Sequence, residues 1–351
     1  MAVQEIFVPG RLCLFGEHSD WAGAFRAQNA EISPGKTIVV GTEEGLYAQA
    51  QPLDDKVIIF SSTTDAGEKS TVQFPLDTDT LLHEAQKGGF FSYVAGVAYR
   101  ISVNHQVGGI RIDNYRTTLP LGKGLSSSAA VCVLVARAFN RVYGLQLTVR
   151  GEMEYAYLGE VTTPSKCGRM DQACAYGALV AMSYDADILR IAPASLAVPL
   201  HMVLVDLKAA KDTTAILQGL QRAYPTASDD KSQALQQLLG DINLGVCERA
   251  LAAMAAGDLP GLGALMREAQ SEFDARAGPM CPEQLTAPVL HKVLTYAPIQ
   301  GLIHGAKGVG SQGDGTAQIL CKDAGAQAAV CRILSEELGM GVMPLTVPAT
   351  H

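Results

Sequence analysis

The chain has 351 residues, a formal net charge of −8, 48% hydrophobic residues and 18% charged ones. That balance suits one large domain or two ordinary ones with ample core material, and it argues against a disordered chain. There is no dense Lys/Arg block and no basic–aromatic interleaving, so nucleic acid is not an expected partner; an anionic ligand must be held by local donors or a metal.

Strand-forming residues alternate or cluster in "EIFVPGRLCLFGEH" (5–18), "TIVVGT" (37–42), "GLYAQAQ" (45–51), "KVIIFSS" (56–62) and "STVQFPL" (70–76). Residues 90–105 carry Phe90, Val94, Val97 and Ile101 at helical spacing, and 108–120 return to strand character. From Ser126 to Tyr143 the apolar positions Val131, Val135, Ala138 and Phe139 predict a helix, with Gly144 where its end is expected. Another helix fits 148–162. Near 190 the character changes. An apolar strand at 196–207 precedes long helical segments at 227–258, 259–276 and 282–297. Strand alternation returns at 301–322, followed by a helix at 324–339 and a short strand at 341–347. With no repeat and no low-complexity linker, the expectation is mixed α+β in two domains, 1–195 and 196–351.

Eight cysteines, none in a C-x-x-C, read as reduced core thiols rather than a disulfide frame or a zinc site. The first residues lack a basic start followed by a long apolar run, and no apolar stretch nears the ~20 residues of a membrane span. A soluble cytoplasmic protein without membrane association is expected.

The most informative stretch is "PLGKGLSSSAA" (120–130), a strand-to-helix connection. A helix start presents unpaired N–H groups and partial positive charge. Without bulky side chains before it, a polyphosphate reaches those amides directly. Gly122 and Gly124 permit the tight backbone, Lys123 adds a cation, and Leu125 leads into the helix. Ser126, Ser127 and Ser128 offer hydroxyls to phosphate or to Mg²⁺, and Ala129 with Ala130 allows close packing. A merely capped helix needs one serine, not the whole string. No G-x-x-x-x-G-K-[ST] occurs, so this is not a Walker loop.

The string resembles the second motif of the GHMP kinases, which include galactokinase, homoserine kinase and mevalonate kinase. The other two motifs stand in order. "VPGRLCLFGEHSDWAG" (8–23) resembles the galactokinase signature, and "GAKGVGSQGDGTAQIL" (305–320) is similar to the glycine-rich third motif. "GFFSYVAGV" (89–97) resembles a helix beside the nucleotide, and "TTPSKCGRMDQACAYG" (162–177) the segment with the catalytic aspartate. Gly308–Gly313 also spells G-x-G-x-x-G, but a strand pattern follows where a dinucleotide site needs a helix.

The resemblance implies an α+β, two-domain GHMP kinase fold, with a ribosomal protein S5 domain 2-like N-terminal domain and a ferredoxin-like C-terminal one. It implies an ATP- and Mg²⁺-dependent kinase that phosphorylates a monosaccharide or sugar-acid hydroxyl, most simply the anomeric one, by direct in-line transfer. On that basis Asp171 is the catalytic carboxylate, Arg11 its partner, Ser128 and Glu160 the metal-binding pair, and residues 122–129 the ATP phosphate loop. Glu17, His18, Asp20 and Gly168 would meet the substrate. Trp21 departs from the usual tyrosine, no tyrosine follows "VLVDLKAAKDTT", and Lys307 interrupts the third motif's glycine pattern, so galactose is not implied. Arg169 and Lys166 flank the catalytic segment and suit an acidic sugar or a plain surface. A kinase of a non-sugar alcohol such as mevalonate, and a catalytically silent sugar and ATP sensor, are the alternatives.

Overall fold

The computed structural model describes residues 3–64, 66–119, 125–165 and 167–350. The first elements are β1 (Gln4–Phe15), α1 (Ser19–Ala24), β2 (Gly35–Leu53), β3 (Val57–Thr63), β4 (Lys69–Pro75), α2 (Thr78–Gln86), α3 (Phe90–Asn104) and β5 (Gly109–Thr117). Then come α4 (Ser127–Tyr143), α5 (Val149–Glu160), β6 (Val180–Asp185), β7 (Ile188–Pro193), β8 (Leu200–Asp206), α6 (Thr213–Gln221), α7 (Asp230–Gln237) and α8 (Asn243–Ala256). The last are α9 (Leu259–Arg276), α10 (Pro282–Leu285), α11 (Pro288–Leu294), α12 (Ala297–Gln300), β9 (Ile303–Gly308), β10 (Thr316–Cys321), α13 (Ala324–Leu338) and β11 (Gly341–Val347). Among the described residues no helix is long and apolar enough to cross a membrane.

Contacts divide the chain into two compact units: 1–12 with 41–178, and 13–40 with 179–351. Both are discontinuous, a different division from a single cut near 195, because β1 and β2 each contribute to both. A cut at 195 remains our proposal for the two family domains.

In the first unit the strands lie in the order β4-β3-β5-β2. β3 and β5 are parallel, which requires the long crossover through β4, α2 and α3. Helices α3, α4 and α5 pack on one another. Phe60, Ile112, Val97, Val133 and Phe139 are fully buried, each contributing about 1.5–3 kcal/mol. The α3–α5 crossing is close because Gly96 and Gly159 face it: a Cβ on Gly96 would sit 2.3 Å from the Gly159 carbonyl oxygen. That approach carries Glu160, the last residue of α5, into the interior.

In the second unit residues Gly35–Val39 of β2 pair with β6, which pairs with β7. A separate antiparallel sheet has the order β11-β8-β10-β9. Numbered within that sheet, the order is 4-1-3-2, with helices between the first and second strands and α13 before the fourth. This is the ferredoxin-like arrangement that the resemblance implies. Val203, Val205, Leu290, Ile319 and Leu334 form its core.

Several elements differ from the sequence reading. "TIVVGT" and "GLYAQAQ" are one 19-residue strand, β2, because ladders at both ends keep its Glu43–Glu44 centre extended. The helical segment 227–258 is broken at 238–242, where Gly240 leaves helical dihedrals and lets Ser33 approach; a Cβ there would be 2.9 Å from that of Ser33. Short helices α1, α2 and α6 and the β6–β7 hairpin had no strong periodic signal. Asp77 and Asp212 nevertheless cap α2 and α6 from the side chain.

Candidate active site

The first cluster lies at the start of α4. Pro120–Gly124, with the loop residues Gly122, Lys123 and Gly124, fall outside the described residues, as does Lys166. Leu125 is buried, and its carbonyl accepts from the Arg11 amide at 3.1 Å, tying β1 to the approach of the helix. The glycine of "PGR" is required here, since a Cβ on Gly10 would lie 2.3 Å from Leu119. Ser126, the N-cap, is left-handed (φ 57°) and makes no side-chain cap. The triple serine therefore does not cap its own helix through Ser126, and the first-turn amides keep their capacity for an anion. Ala129 and Ala130 are buried as expected.

Ser128 Oγ donates to Glu160 Oε1 at 2.9 Å, and Gln172 Nε2 donates to Glu160 Oε2 at 2.7 Å. Glu160 is 1% exposed. Burial first, then the Asp171 carboxylate, push its pKa up to about 7, against the opposing hydrogen bonds from Ser128, Gln172 and Cys167. Glu160 itself has no ion pair among the described residues, although the Asp171 carboxylate acts on it. Asp171 opens a 3₁₀ turn (Asp171–Ala175) and is ion-paired with the buried Arg11. Gly168 is partly exposed just before this turn. Arg169 pairs with Glu154 at 3.1 Å and stacks over Tyr157.

Sequence reasoning missed the brace behind these groups. Buried Arg137 donates to Glu152 at 2.7 Å, to the Phe7 carbonyl at 2.9 Å and to the Ala175 carbonyl at 2.8 Å. One guanidinium thus pins α4, α5, β1 and the Asp171 turn, using the fork of donors that only arginine has. Its placement on the helix's apolar face was the available signal. Also in this unit, an apolar cavity of about 290 Å³ lies against the first turn of α4, lined by Leu46, Phe90, Phe91, Thr117, Ser127 and Val131.

The second cluster belongs to the other unit. Gly16 adopts φ +87°, and a Cβ there would lie 2.0 Å from the Lys36 carbonyl oxygen, which explains the glycine of "GEH". Glu17, His18 and Asp20 are all buried. Glu17 is ion-paired with Lys307, which is 1% exposed and also donates to the Gly308 carbonyl at 3.0 Å. The lysine that breaks the third motif's glycine pattern is therefore an interior cation. His18 has φ 69°, and its Nδ1 accepts from Trp21 Nε1 at 3.1 Å. Its ring stacks on Phe273. Burial, followed by the Lys211 and Lys307 ammonium groups, lowers the His18 pKa to about 4, with the Ser311 backbone opposing. His18 is thus neutral at pH 7, and the Trp21 donor assigns its proton to Nε2. In the third motif, β9 turns directly into β10, so no helix follows the G-x-G-x-x-G string and no dinucleotide fold is built on it.

Left-handed non-glycine residues recur in all three motifs: His18, Ser126 and Gln312. Such backbone costs about 1–3 kcal/mol per residue and persists where surroundings over-determine it, commonly at functional sites.

Residues 92–178 match the family model of the GHMP kinases N terminal domain. The galactokinase of Streptococcus thermophilus (strain ATCC BAA-491 / LMD-9) is 31% identical over 143 residues, which is 40% of this chain and 33% of that protein. The matched part is thus about a third of that relative's length. The fold resembles Lactococcus lactis galactokinase complexed with galactose, with a TM-score of 0.72, 18% identity and coverage of 99% of this chain and 94% of that one. It also resembles L. major mevalonate kinase in complex with R-mevalonate, with a TM-score of 0.67, 19% identity and coverage of 99% and 96%. At these identities the structural likenesses speak for the fold. Residues 92–178 thus match a GHMP kinases N terminal domain, and the chain as a whole is similar in fold to kinases of known structure.

Proposed function

We propose that the protein is an ATP-dependent kinase that transfers the γ-phosphoryl group in line to a hydroxyl of a monosaccharide or sugar acid, the anomeric hydroxyl first among them. One observation carries the reading. At the uncapped start of α4, buried Glu160 is bound to Ser128, with Asp171 and its partner Arg11 alongside.

In this reading the nucleobase enters the cavity beside Phe90 and Phe91, and the phosphates meet the amides of Gly122–Ala129. Ser128 and Glu160 hold Mg²⁺, which supplies charge neutralisation on the phosphates when bound. The fit is chemical: a desolvated carboxylate whose proton is held to about pH 7 lacks a cation. Among the described residues no three His, Cys, Asp or Glu side chains cluster around a possible metal. That agrees with an ion held by one carboxylate, one hydroxyl and phosphate oxygens. Asp171 orients the acceptor hydroxyl and accepts its proton, while Arg11 holds the carboxylate in position. By their place in the motifs, Glu17, His18 and Asp20 of the second unit and Gly168 of the first are the proposed acceptor residues, for a small molecule whose several hydroxyls need partners once desolvated.

A coupled ADP-release assay with Mg²⁺ and ATP, over monosaccharides, uronic acids, inositols and mevalonate, tests the reading. ADP release stimulated by a sugar or uronic acid is expected. Stimulation by mevalonate alone would make it a kinase of a non-sugar alcohol. ATP binding without turnover of any acceptor would make it a sensor.

Glu160 yields a prediction independent of turnover. Below about pH 4.5 its carboxyl is protonated in both folded and unfolded chains. As pH rises toward 7 the unfolded chain ionises first, so folding stability falls through that window. Glu160→Gln should therefore gain thermal stability relative to the wild type between pH 5 and pH 8, and Mg²⁺ should narrow the gap at pH 8. A gap independent of both pH and Mg²⁺ would remove Glu160 as the metal carboxylate.

A further inference from the structure

The second cluster contains a cation that the kinase reading has not used. Lys211 follows β8 and reaches across the glycine-rich turn between β9 and β10. A Cβ on Gly315 would come within 2.6 Å of its Nζ, and one on Gly313 within 3.4 Å of its Cδ, so both glycines make room for it. Lys211 has no ion pair and no hydrogen bond among the described residues, whereas Lys307 is matched by Glu17. Its own pKa is lowered, by burial. An ammonium kept in partial burial without a counter-ion is a cost that a bound anion offsets.

The groups beside it are donors as well. Lys211 acts on the His18 ring, whose Nε2–H is buried and makes no well-formed hydrogen bond, even with the nearby Ser311 backbone. Thr213 Oγ1, at the start of α6, and Ser311 Oγ, in the turn between β9 and β10, stand 3.2 Å apart. The nearby carboxylates are otherwise engaged. Asp314 accepts from the Leu290 amide at 2.8 Å and Asp212 caps α6, while Glu17 is paired.

We infer that the acceptor carries an anionic group, a carboxylate or a phosphate, and that Lys211 binds it with the Nε2–H edge of His18 and the Thr213–Ser311 hydroxyl pair. This rests on the kinase reading and narrows it to sugar acids or sugar phosphates. Trp21 acquires a purpose here: by donating to Nδ1 it leaves His18 with its donor edge toward the anion.

The test compares glucuronate, galacturonate, glucose 1-phosphate and glucose 6-phosphate with glucose and galactose, in ADP release and in thermal-shift binding. At least one anionic sugar should be turned over with a KM far below its neutral parent, and the two anion classes separate carboxylate from phosphate. Lys211→Met should raise the KM for that acceptor about 10- to 100-fold, with kcat and the KM for ATP little changed, and Lys211→Arg should retain most of the affinity. Neutral hexoses used as well as anionic ones, by both wild type and Lys211→Met, would overturn the inference and leave the kinase reading standing. So would a Lys211→Met effect confined to the KM for ATP. If no sugar is turned over, the sugar-kinase reading fails by itself. The binding arm then decides: stabilisation of the wild type but not Lys211→Met by an anionic sugar upholds the anion site, and its absence removes it.

Discussion

Asp171→Asn should lower kcat by roughly 100- to 10,000-fold, the range of a lost general base or its orienting charge. ATP affinity should survive, because the start of α4 and the cavity at Phe90 and Phe91, where we propose that ATP binds, are untouched. The pair with Arg11 gives the experiment a second reading. Arg11 is 3% exposed, so removing its ionic partner destabilises the first unit as well. Equilibrium unfolding of the variant, beside calorimetric ATP binding, separates a folding defect from a catalytic one. A folded, ATP-binding variant with near-normal kcat would remove Asp171 from the transfer step.

Lys307→Met should cost about 3–5 kcal/mol of folding stability, because it leaves Glu17 buried without its cation. Adding Glu17→Gln should recover much of that loss, since two neutral groups need no counter-charge. Urea unfolding of the single and double variants measures the coupling directly. If Lys307→Met unfolds with the wild-type midpoint, the pair is not structural, and Glu17 tolerates burial for another reason. The same pairing means that an acceptor meeting Glu17 meets a carboxylate already neutralised, unlike a free sugar-binding glutamate.

The start of α4 was legible because its signal is local: serines and alanines lead directly into an apolar stretch with helical spacing, and the helix begins at Ser127. The Glu160–Asp171 spacing was legible for the same reason, whereas the order of the three motifs was read along the whole chain. The first-turn geometry was not. Serines before a helix normally cap it, and the left-handed Ser126 that withholds its side chain follows from the surrounding backbone. Arg137 was missed as well: its place on the apolar face of α4 hinted at burial, but the three acceptors that hold it come from distant parts of the chain.

Helical and strand periodicity and the wording of each motif were properties of the chain alone, because each arises from residues within a few turns of one another. Lys307 meeting Glu17 across 290 residues, a neutral His18 held by Trp21, and Lys211 left without a counter-ion among the described residues belong to the tertiary structure. A charge takes its partner and its proton from the dielectric and the neighbours that folding assembles, and neither is written in local sequence.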